Sequence, residues 1–486
     1  MKLKVKTLKF SAGRPVAILH KKFAENSSIH VDERIFIEKG KNKIAAIVDV
    51  GKSFLDENEI ALSSEIIILM KLKQGDNVNV EIAPKPESLM LIQKKLFGKK
   101  LNEKEINLII SDIVKNKLTE AEIAYFISAI YKSGMVMKEI MHMTKAIVNT
   151  GNKLNLKGKI VDKHSIGGIP GRTTPIVVSI CSAVGLLMPK TSSRAITSPS
   201  GTADAMEVLC RVDFNVSELK KIIKKTNACI VWGGSLNIAP ADDKIIHVEK
   251  LLNLDPKPQL IASIMAKKIS VNAKYLLIEI PYGKNAKVSK RQAKVLEKDF
   301  KILAKNFGIK VKCFLNKSNE PIGNGVGPVL EIFDVIKVLK RKDKCYKLED
   351  KSLELSGKIF ELCGKAKKGK GKEMARRILD SGAAFKKFRE IVKAQKGKIR
   401  EYKPAKYKKD IYAENKTIKE IKTKEINNLA RTAGCPLDKR AGVYLYKHAG
   451  DKIKKREKIL TIYAESKIEL REAVKYYRKV KPVRFK

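Results

Sequence analysis

Residues 163–174 read Lys-His-Ser-Ile-Gly-Gly-Ile-Pro-Gly-Arg-Thr-Thr, directly after a short apolar segment and directly before a longer one. Glycines let the backbone approach an oxyanion closely, hydroxyl and cationic side chains supply hydrogen-bond donors, and the N-terminus of a following helix adds a positive dipole. The pattern has neither the Lys-Ser/Thr ending of a Walker loop nor the spacing of a dinucleotide-binding fingerprint. Taken alone, it predicts a phosphate or carboxylate site and an ordinary strand-to-helix turn about equally.

A second polar loop follows the next apolar segment. Residues 190–204 read Lys-Thr-Ser-Ser-Arg-Ala-Ile-Thr-Ser-Pro-Ser-Gly-Thr-Ala-Asp. Many hydroxyl groups surround one arginine, Arg194, and few side chains of this stretch are apolar enough to form a core. The stretch therefore favours a bound ligand. A polar surface loop is the alternative, because serine and threonine clusters mark loops in general.

The region around these loops alternates short strand-like segments with helical ones. Residues 309–315, for example, are strand-like and lie between helical patterns at 288–307 and 329–339. Such alternation is typical of an α/β sheet with helices packed on it. We therefore predict a multidomain α/β protein whose central mixed α/β domain covers residues 155–395.

Both ends of the chain are predicted to be β-rich. Before the Pro84-Lys85-Pro86 step, apolar segments alternate with turn-forming residues and predict a small barrel-like domain over residues 1–84. These segments are 16–19, 34–37, 44–48, 66–69 and 78–82. Apolar alternation at 443–446 and 459–462 predicts a C-terminal β-rich, α+β domain over residues 396–486.

Residues 85–154 are predicted to form a helical domain. Ile106, Ile109, Ile110 and Ile113 recur with helical spacing and form one apolar face. Further along, the pair at 119 and 122, Thr and Glu, has the spacing of a capping box.

The composition is that of a large protein with a strong positive charge. The chain has 486 residues, 44% of them hydrophobic, and 101 Lys and Arg against 52 Asp and Glu, a formal net charge of +49. A nucleic-acid-binding protein is one interpretation of such a charge. The lysines are spread over the whole length and no nucleic-acid-binding motif accompanies them. We therefore favour a solvated lysine-rich surface whose field attracts phosphorylated substrates.

Other classes of protein are excluded on simple grounds. No apolar run reaches the length of a membrane helix and no apolar signal region follows Met1, so we expect a cytoplasmic protein without membrane contact. The seven cysteines include no Cys-x-x-Cys pair, and the six histidines show no zinc-like spacing. We expect reduced thiols and no metal site.

At the two loops the sequence resembles the type II nucleoside phosphorylases, the thymidine and pyrimidine-nucleoside phosphorylase family, and within it the AMP phosphorylases rather than the thymidine phosphorylases. Matching segments occur in the family's order over most of the chain. They are residues 163–168, 189–198, 201–204, 231–234, 239–243, 262–268 and 321–328. The resemblance implies that about residues 241–270 return to the helical domain, so that the domain boundaries are discontinuous.

The resemblance implies a pentosyltransferase, a glycosyltransferase of nucleotide catabolism. In its reversible phosphorolysis, AMP, and also other nucleoside monophosphates such as CMP and UMP, would react with inorganic phosphate to give the free base and ribose 1,5-bisphosphate. No cofactor is implied, since phosphate is a co-substrate. A homodimer or larger homo-oligomer is implied as well.

The resemblance also assigns candidate residues. The phosphate-binding residues would be Lys163, Ser165, Thr174, Ser192 and Thr202. The AMP-binding residues would be Gly168, Ser193, Arg194, Ala195, Ile196, Thr197, Ser198, Thr202, Ser263 and Lys287. The catalytic residue would be Asp255, as the proton donor to the leaving adenine. From the residues alone, Asp255 would instead be an Asp-Pro turn or a helix cap.

Further interpretations stay open for the site and for the function. Arg194 and Lys287 are expected to read the 5′-phosphate of AMP, by charge and multiple donors. His164 has two interpretations, an acid or base in catalysis and a local hydrogen-bonding residue. A thymidine or pyrimidine-nucleoside phosphorylase is the alternative function, because it shares the opening residues of the first loop. A non-enzymatic nucleic-acid-binding protein is a remote alternative.

Overall fold

The structure is a computed structural model that describes residues 1–486 apart from 168, 196–197, 343–344 and 401. The chain forms two compact units. The first consists of Met1–Thr150 and Pro240–Ser263, and the second of Gly151–Ala239 and Ile264–Lys486. Among the described residues, every helix is too short or too polar to cross a membrane.

The first unit begins with a closed six-stranded barrel. Its strands are β1 (Lys2–Thr7), β2 (Val16–His20), β3 (Arg34–Lys39), β4 (Asn42–Gly51), β5 (Glu59–Leu62) and β6 (Asn77–Ile82), in the order β1-β5-β2-β4-β3-β6. Two short helices, α1 (Lys21–Asn26) and α2 (Ser64–Met70), lie in the connections. Alternate strand residues such as Leu3, Val5, Ile35 and Ile37 fill the interior. The barrel is therefore a packed core, as expected for so few strands.

The prediction of a strand at 66–69 is wrong, because this segment lies in α2. A short run of aliphatic residues fits a buried strand as well as a helix. In the structure, Ile66 and Met70, one helical turn apart, are buried, whereas Ile68 and Leu69 are 73% and 63% exposed. The segment thus buries one helical face, and β1 and β5 supply strands that the sequence pattern did not indicate.

The rest of the first unit is helical. It contains α3 (Ser88–Leu96), α4 (Glu103–Val114), α5 (Glu120–Ser133), α6 (Met137–Asn149), α10 (Pro240–Leu252) and the beginning of α11 (Lys257–Ser270). The capping box at the start of α5 is confirmed, with Glu122 N 3.2 Å from Thr119 Oγ1 and Thr119 N 2.7 Å from Glu122 Oε2. Helix α10 packs against α4 and α5, and Lys244 Nζ donates to the last carbonyl groups of α4.

The second unit contains a parallel sheet covered by helices. Its strands are β7 (Val161–Ser165), β8 (Met188–Ser192), β9 (Ala228–Trp232), β10 (Tyr275–Tyr282) and β11 (Lys310–Lys317). The pairings β11-β10-β7 and β8-β9 are parallel, and a parallel bridge between Ile160 and Leu187 joins the two groups. The carboxyl ends of all these strands therefore lie along one edge.

Helices pack on this sheet and bury a large apolar core. They are α7 (Thr173–Ala183), α8 (Thr202–Glu207), α9 (Val216–Thr226), α12 (Lys290–Asn306), α13 (Pro328–Leu339), α14 (Tyr346–Leu362), α15 (Gly371–Asp380) and α16 (Ala383–Ala394). Helix α7 is buried along its length and packs against α14 and α16. Its first turn, at the end of the first polar loop, is therefore held in the interior of the unit.

The C-terminal part adds a second, antiparallel sheet. The elements are β12 (Gly325–Val326), β13 (Tyr407–Ala413), β14 (Ile418–Ile421), α17 (Thr423–Thr432), β15 (Gly442–Leu445), β16 (Glu457–Ala464), α18 (Lys467–Val480) and β17 (Val483–Phe485). The strands pair in the orders β12-β15-β16-β13 and β14-β17. Because β12 precedes α13 in the central region, its pairing with β15 ties the C-terminal part to the sheet with the polar loops. The division of the chain into four domains stays a prediction.

Candidate active site

The two polar loops leave the same edge of the parallel sheet. The first connects β7 to α7, and the second connects β8 to α8. The chain proceeds from β7 to β8 on one side, whereas β10 pairs with β7 on the other side. In open α/β sheets, ligands bind outside the carboxyl ends of strands at such a change of direction. The fold therefore places the loops where a ligand is expected.

Lys163 is the central cation of the first loop. Its side chain is 1% exposed, and Nζ donates to Thr173 Oγ1 at 2.8 Å and to Thr174 Oγ1 at 3.5 Å. Nζ also lies 3.6 Å from Glu279 Oε2. Burial lowers the pKa of Lys163, and the carboxylate of Glu279 opposes this change. A buried ammonium group among hydroxyl groups is suited to an anion.

Glu279 is a buried residue of this site that sequence reasoning missed. It lies in β10 directly opposite Ser165, whose Oγ donates to Glu279 Oε2 at 2.8 Å. Its other oxygen, Oε1, lies 3.6 Å from Lys351 Nζ of α14. The available signal was one acidic residue in the otherwise apolar segment 276–280.

A second buried cluster lies next to the first and joins β7, β8 and α11. The carboxylate of Asp162 accepts from Lys268 Nζ at 2.7 Å and from Lys163 N at 2.6 Å, and lies 3.4 Å from Lys190 Nζ. Burial raises the pKa of Asp162, but the two lysine charges outweigh this effect and the net change is downward. Burial lowers the pKa of Lys268, with Asp162 opposing. Each of the two carboxylates is thus flanked by two lysines, Glu279 by Lys163 and Lys351 and Asp162 by Lys190 and Lys268.

His164 lies between these clusters and is half-buried. Burial lowers its pKa well below the ordinary value, and the charges of Lys268, Lys190, Lys267 and Lys163 lower it further. The ring is therefore neutral near neutral pH. A neutral imidazole is poorly suited to act as an acid, so a base and a local hydrogen-bonding residue stay as the interpretations of His164.

The second loop begins with two hydroxyl groups that have no partner among the described residues, Thr191 Oγ1 and Ser192 Oγ. Both atoms are buried at the carboxyl end of β8. Buried polar groups are nearly always hydrogen-bonded, so these two hydroxyl groups are expected to bind a ligand or water. Thr202 is the first residue of α8 and is half-buried. The roles expected for Ser192 and Thr202 stay predictions.

Asp204 gives the second loop its shape. Its Oδ2 accepts from Ala195 N at 2.7 Å and from Gly201 N at 2.8 Å, which closes the loop onto the start of α8. A Cβ at Gly201 would lie 2.6 Å from Ser193 O. Only glycine permits this close approach. The side chain of Ser193 is exposed, and Ser198 Oγ donates to Ser200 O at 2.9 Å.

Arg194 is paired with two acidic residues. Its guanidinium donates to Glu207 at 2.8 and 2.7 Å and to Asp204 at 3.3 Å, and it lies 4.9 Å from the centre of the Trp232 ring. The hydrogen bond from Arg194 is the main cause that lowers the pKa of Glu207 to about 2. These carboxylates offset the charge that a 5′-phosphate would meet at Arg194.

Arg172, at the end of the first loop, is occupied as well. It contacts the buried Glu331 of α13 through Nε and donates through Nη2 to Ser200 O at 2.7 Å. Arg172 therefore links the first loop to the second. Burial raises the pKa of Glu331, and the charge of Arg172 opposes this.

The remaining candidates lie in both units. Asp255 belongs to the first unit, is exposed, and occupies the Asp-Pro step directly before α11. Ser263, 8% exposed, is the last residue of that unit. Lys287 is exposed in the second unit, in the connection that leaves the carboxyl end of β10. Gly168, Ile196 and Thr197 lie outside the described residues.

No group of three or more His, Cys, Asp or Glu side chains that could hold a metal occurs in the part of the chain that the structure describes. The absence of a cofactor stays a prediction. The described side chains of the site offer lysine ammonium groups, hydroxyl groups and buried carboxylates.

Three family models match the chain in agreement with this layout. They are the helical bundle domain of a glycosyl transferase family at residues 90–151, the a/b domain of that family at 157–255, and the C-terminal domain of pyrimidine nucleoside phosphorylases at 417–483. The fold class is thus shown at the level of a multidomain α/β protein with a helical, an α/β and a C-terminal domain. These matches define the class, a glycosyl transferase of the pyrimidine nucleoside phosphorylase type.

Full-length relatives define the family more closely. The AMP phosphorylase of Pyrococcus horikoshii is 41% identical, and the alignment covers 100% of this chain and 98% of the relative. The AMP phosphorylase of Methanocaldococcus jannaschii is 39% identical, with 99% and 97% covered. The chain belongs to the AMP phosphorylase family. The predicted family is confirmed.

Among solved structures, the chain is similar to anthranilate phosphoribosyltransferase from Thermus thermophilus. The TM-score is 0.54 at 16% identity, and the match covers 63% of this chain and 99% of that one. At this identity the likeness shows a shared fold alone.

Proposed function

We propose that the chain catalyses the reversible phosphorolysis of AMP, in which inorganic phosphate displaces adenine from C1′ of the ribose and yields ribose 1,5-bisphosphate. The similarity to AMP phosphorylases over the full length is the observation that carries this proposal. It favours AMP over thymidine as substrate. The enzyme is a pentosyltransferase.

The first task is to hold phosphate and align it with C1′. Phosphate is a weak nucleophile in water, and fixed donors convert its encounter with the sugar into an effectively intramolecular attack. We assign this task to Lys163, Ser165, Thr174, Ser192 and Thr202. The buried Lys163 supports the assignment, as does the hydroxyl group of Ser192, which is unpaired within the part of the chain that the structure describes. Thr173 is a further candidate, because it accepts from Lys163 and so keeps its own proton free for an anion.

The second task is to protonate the leaving adenine, because an anionic purine leaves poorly. We assign it to Asp255. A carboxyl group that donates a proton near neutral pH needs a dry or anionic environment. Asp255 is exposed in the structure, so in this proposal bound substrate must supply that environment.

The third task is to distinguish AMP from adenosine by its 5′-phosphate. Arg194 and Lys287 are the candidates, together with the donors of the second loop. Glu207 and Asp204 already engage Arg194, so binding of a 5′-phosphate there competes with these carboxylates. Alanine at both positions should reduce the preference for AMP over adenosine in kcat/KM, and an unchanged preference would contradict both assignments.

Other parts of the proposal concern range and assembly. We include CMP and UMP among the substrates, and a homo-oligomeric, cytoplasmic enzyme that needs no cofactor. Gel filtration with light scattering measures the assembly, and a chelator during the assay tests for a metal.

The purified chain is incubated with phosphate and AMP, CMP, UMP, adenosine or thymidine, and the released base is measured by chromatography. The expected result is adenine from AMP, dependent on phosphate, with ribose 1,5-bisphosphate detected by phosphorus NMR. Release of thymine from thymidine without release of adenine from AMP would contradict the proposal. Duplex binding that weakens with salt, without release of any base, would support the nucleic-acid-binding alternative.

A further inference from the structure

Glu279 joins two of the phosphate-binding candidates of the first loop, Lys163 and Ser165, to a second lysine, Lys351. Its Oε2 accepts from Ser165 Oγ at 2.8 Å and lies 3.6 Å from Lys163 Nζ, while Oε1 lies 3.6 Å from Lys351 Nζ. The residue is 4% exposed. Both carboxylate oxygens of Glu279 therefore have polar neighbours, Ser165 and Lys163 at Oε2 and Lys351 at Oε1.

A carboxylate at this position is costly for an enzyme that binds phosphate. A like charge within a few ångströms repels an anion, and the burial of a carboxylate is itself unfavourable unless cations compensate it. A structural side chain of similar size without charge would avoid both costs. The negative charge of Glu279 is therefore expected to have a function that an uncharged side chain could not perform.

We infer that Glu279 is a positioning residue for phosphorolysis, which keeps Lys163 cationic for the bound phosphate and accepts the proton of Ser165 until this hydroxyl group turns to the phosphate. The inference rests on the proposed function and extends it to a residue that would not contact the substrate. Glu279 acts as a fixed counter-anion for Lys163 before and after phosphate binds.

The surroundings of Lys163 explain why it needs such a partner. Burial lowers its pKa, Glu279 opposes this, and the charges of Arg172 and Lys351 lower it further. Arg172 is itself paired with Glu331 of α13. The other charged groups nearby are Asp162 on β7, Lys190 on β8 and Lys268 on α11, which pair with one another, and the adjacent His164. Glu279 is the carboxylate within 4 Å of Lys163 Nζ among the described residues.

Ser165 depends on Glu279 in a second way. A serine hydroxyl group has one proton, which in the structure is donated to Glu279. To donate to phosphate, the hydroxyl group must turn away from Glu279, and Glu279 then keeps its two lysine contacts. Glu279 therefore fixes the starting orientation of the Ser165 hydroxyl group, which turns to the phosphate when the phosphate binds.

The test is the pH dependence of kcat/KM for phosphate in Glu279→Gln. Binding requires cationic Lys163, so activity falls as pH rises through the pKa of this lysine. Loss of the opposing carboxylate lowers that pKa further, and we expect the alkaline fall of kcat/KM to move to lower pH by about one unit or more, each unit being about tenfold in the charged fraction. Glu279→Asp keeps the charge and should restore most of the alkaline limb.

For a second variant we expect the alkaline fall of kcat/KM to shift in the opposite direction. Lys351 lowers the pKa of Lys163 by charge repulsion, so Lys351→Met should move the alkaline fall to higher pH. A purely structural role for this cluster would not give shifts of opposite direction. Glu139→Gln is the matched control, because Glu139 is an equally buried carboxylate, 2.8 Å from Lys95 in the first unit. It should leave the pH profile unchanged.

Phosphate affinity is measured in parallel by isothermal titration with inorganic phosphate alone, so that failure of this inference and of the proposed function are distinguishable. Unshifted profiles in Glu279→Gln and Lys351→Met, with AMP turned over by the wild type, would overturn the role of Glu279 and leave the function intact. If the wild type binds phosphate but releases no base from AMP, the proposed function fails, and the pH dependence of phosphate binding then decides on Glu279. Should Glu279→Gln not fold, the direction of the shift in Lys351→Met gives the decision.

Discussion

At the scale of single residues, Ser192 offers a clean separation of stability from function. Its Oγ is buried and has no hydrogen-bond partner among the described residues. An unsatisfied buried hydroxyl group costs stability, and its removal is nearly neutral or favourable for folding. If this group instead awaits phosphate, Ser192→Ala should lose about 1.5–3 kcal/mol of binding, a reduction of roughly 10- to 100-fold in kcat/KM for phosphate.

The measurement combines thermal unfolding with phosphate-dependent kinetics. We expect the Tm of Ser192→Ala to stay the same or rise while kcat/KM for phosphate falls. The matched control is Ser182→Ala in α7, whose hydroxyl group is buried but donates to Val178 O at 2.6 Å. That variant should lower the Tm and leave the kinetics unchanged. A phosphate-independent loss in Ser192→Ala would argue against its assignment.

The residues of the site divide into those that local sequence could indicate and those that it could not. Lys163, Ser165 and Ser192 lie in polar glycine loops between apolar segments, which is a local pattern. Glu279 and Lys268 contact residues of β7 that lie 114 and 106 residues away in the chain. No window of sequence contains both partners of such a pair, so only the fold brings them together.

At the scale of elements, α5 illustrates a helix start that sequence predicts well. Thr119 and Glu122 exchange two hydrogen bonds with each other's backbone N–H groups. Glu122 also contacts Arg34 of the barrel strand β3. The first turn of α5 therefore holds both its own cap and a contact to the barrel within the first unit.

Thr119→Ala should remove the cap and lower the free energy of unfolding by about 1 kcal/mol, the usual cost of losing a threonine N-cap. Denaturant unfolding of the whole chain, followed by circular dichroism, measures this change. Thr119→Ser keeps the hydroxyl group and serves as the control. Equal stability of the Ala and Ser variants would mean that the capping bond contributes nothing.

Element type was harder to predict where apolar runs are short. The alternating pattern located β2, β3, β4 and β6, because each lies in a barrel wall with one buried face. The same reasoning failed for α2, since four aliphatic residues in a row carry no period that separates a strand from a helix. The burial of Ile66 and Met70 distinguishes the helix from a strand, and this burial depends on the neighbouring strands.

At the scale of the whole molecule, the first unit is built from two segments that are far apart in the sequence. Pro240–Ser263 returns to this unit after an excursion of about 90 residues, from Gly151 to Ala239, in the second. The residues of this segment look like ordinary helices in sequence, and only the family resemblance implied where they belong. Tertiary packing of α10 on α4 and α5 is the physical cause.

The net charge of +49 is also a property of the whole molecule, and it predicts a dependence of substrate capture on salt. A positive field raises the encounter rate with anions such as AMP, and salt shortens its range from about 10 Å at 0.1 M to about 3 Å at 1 M. With phosphate saturating, kcat/KM for AMP should therefore fall several-fold between about 0.05 and 0.5 M potassium chloride, whereas kcat stays nearly constant. Lys294→Glu with Lys298→Glu, two exposed positions of α12, should lower kcat/KM at low salt and leave it unchanged at high salt. A rate for AMP that is independent of salt would show that the surface lysines take no part in capture, and that the buried lysines of the loops act on the substrate only after it has arrived.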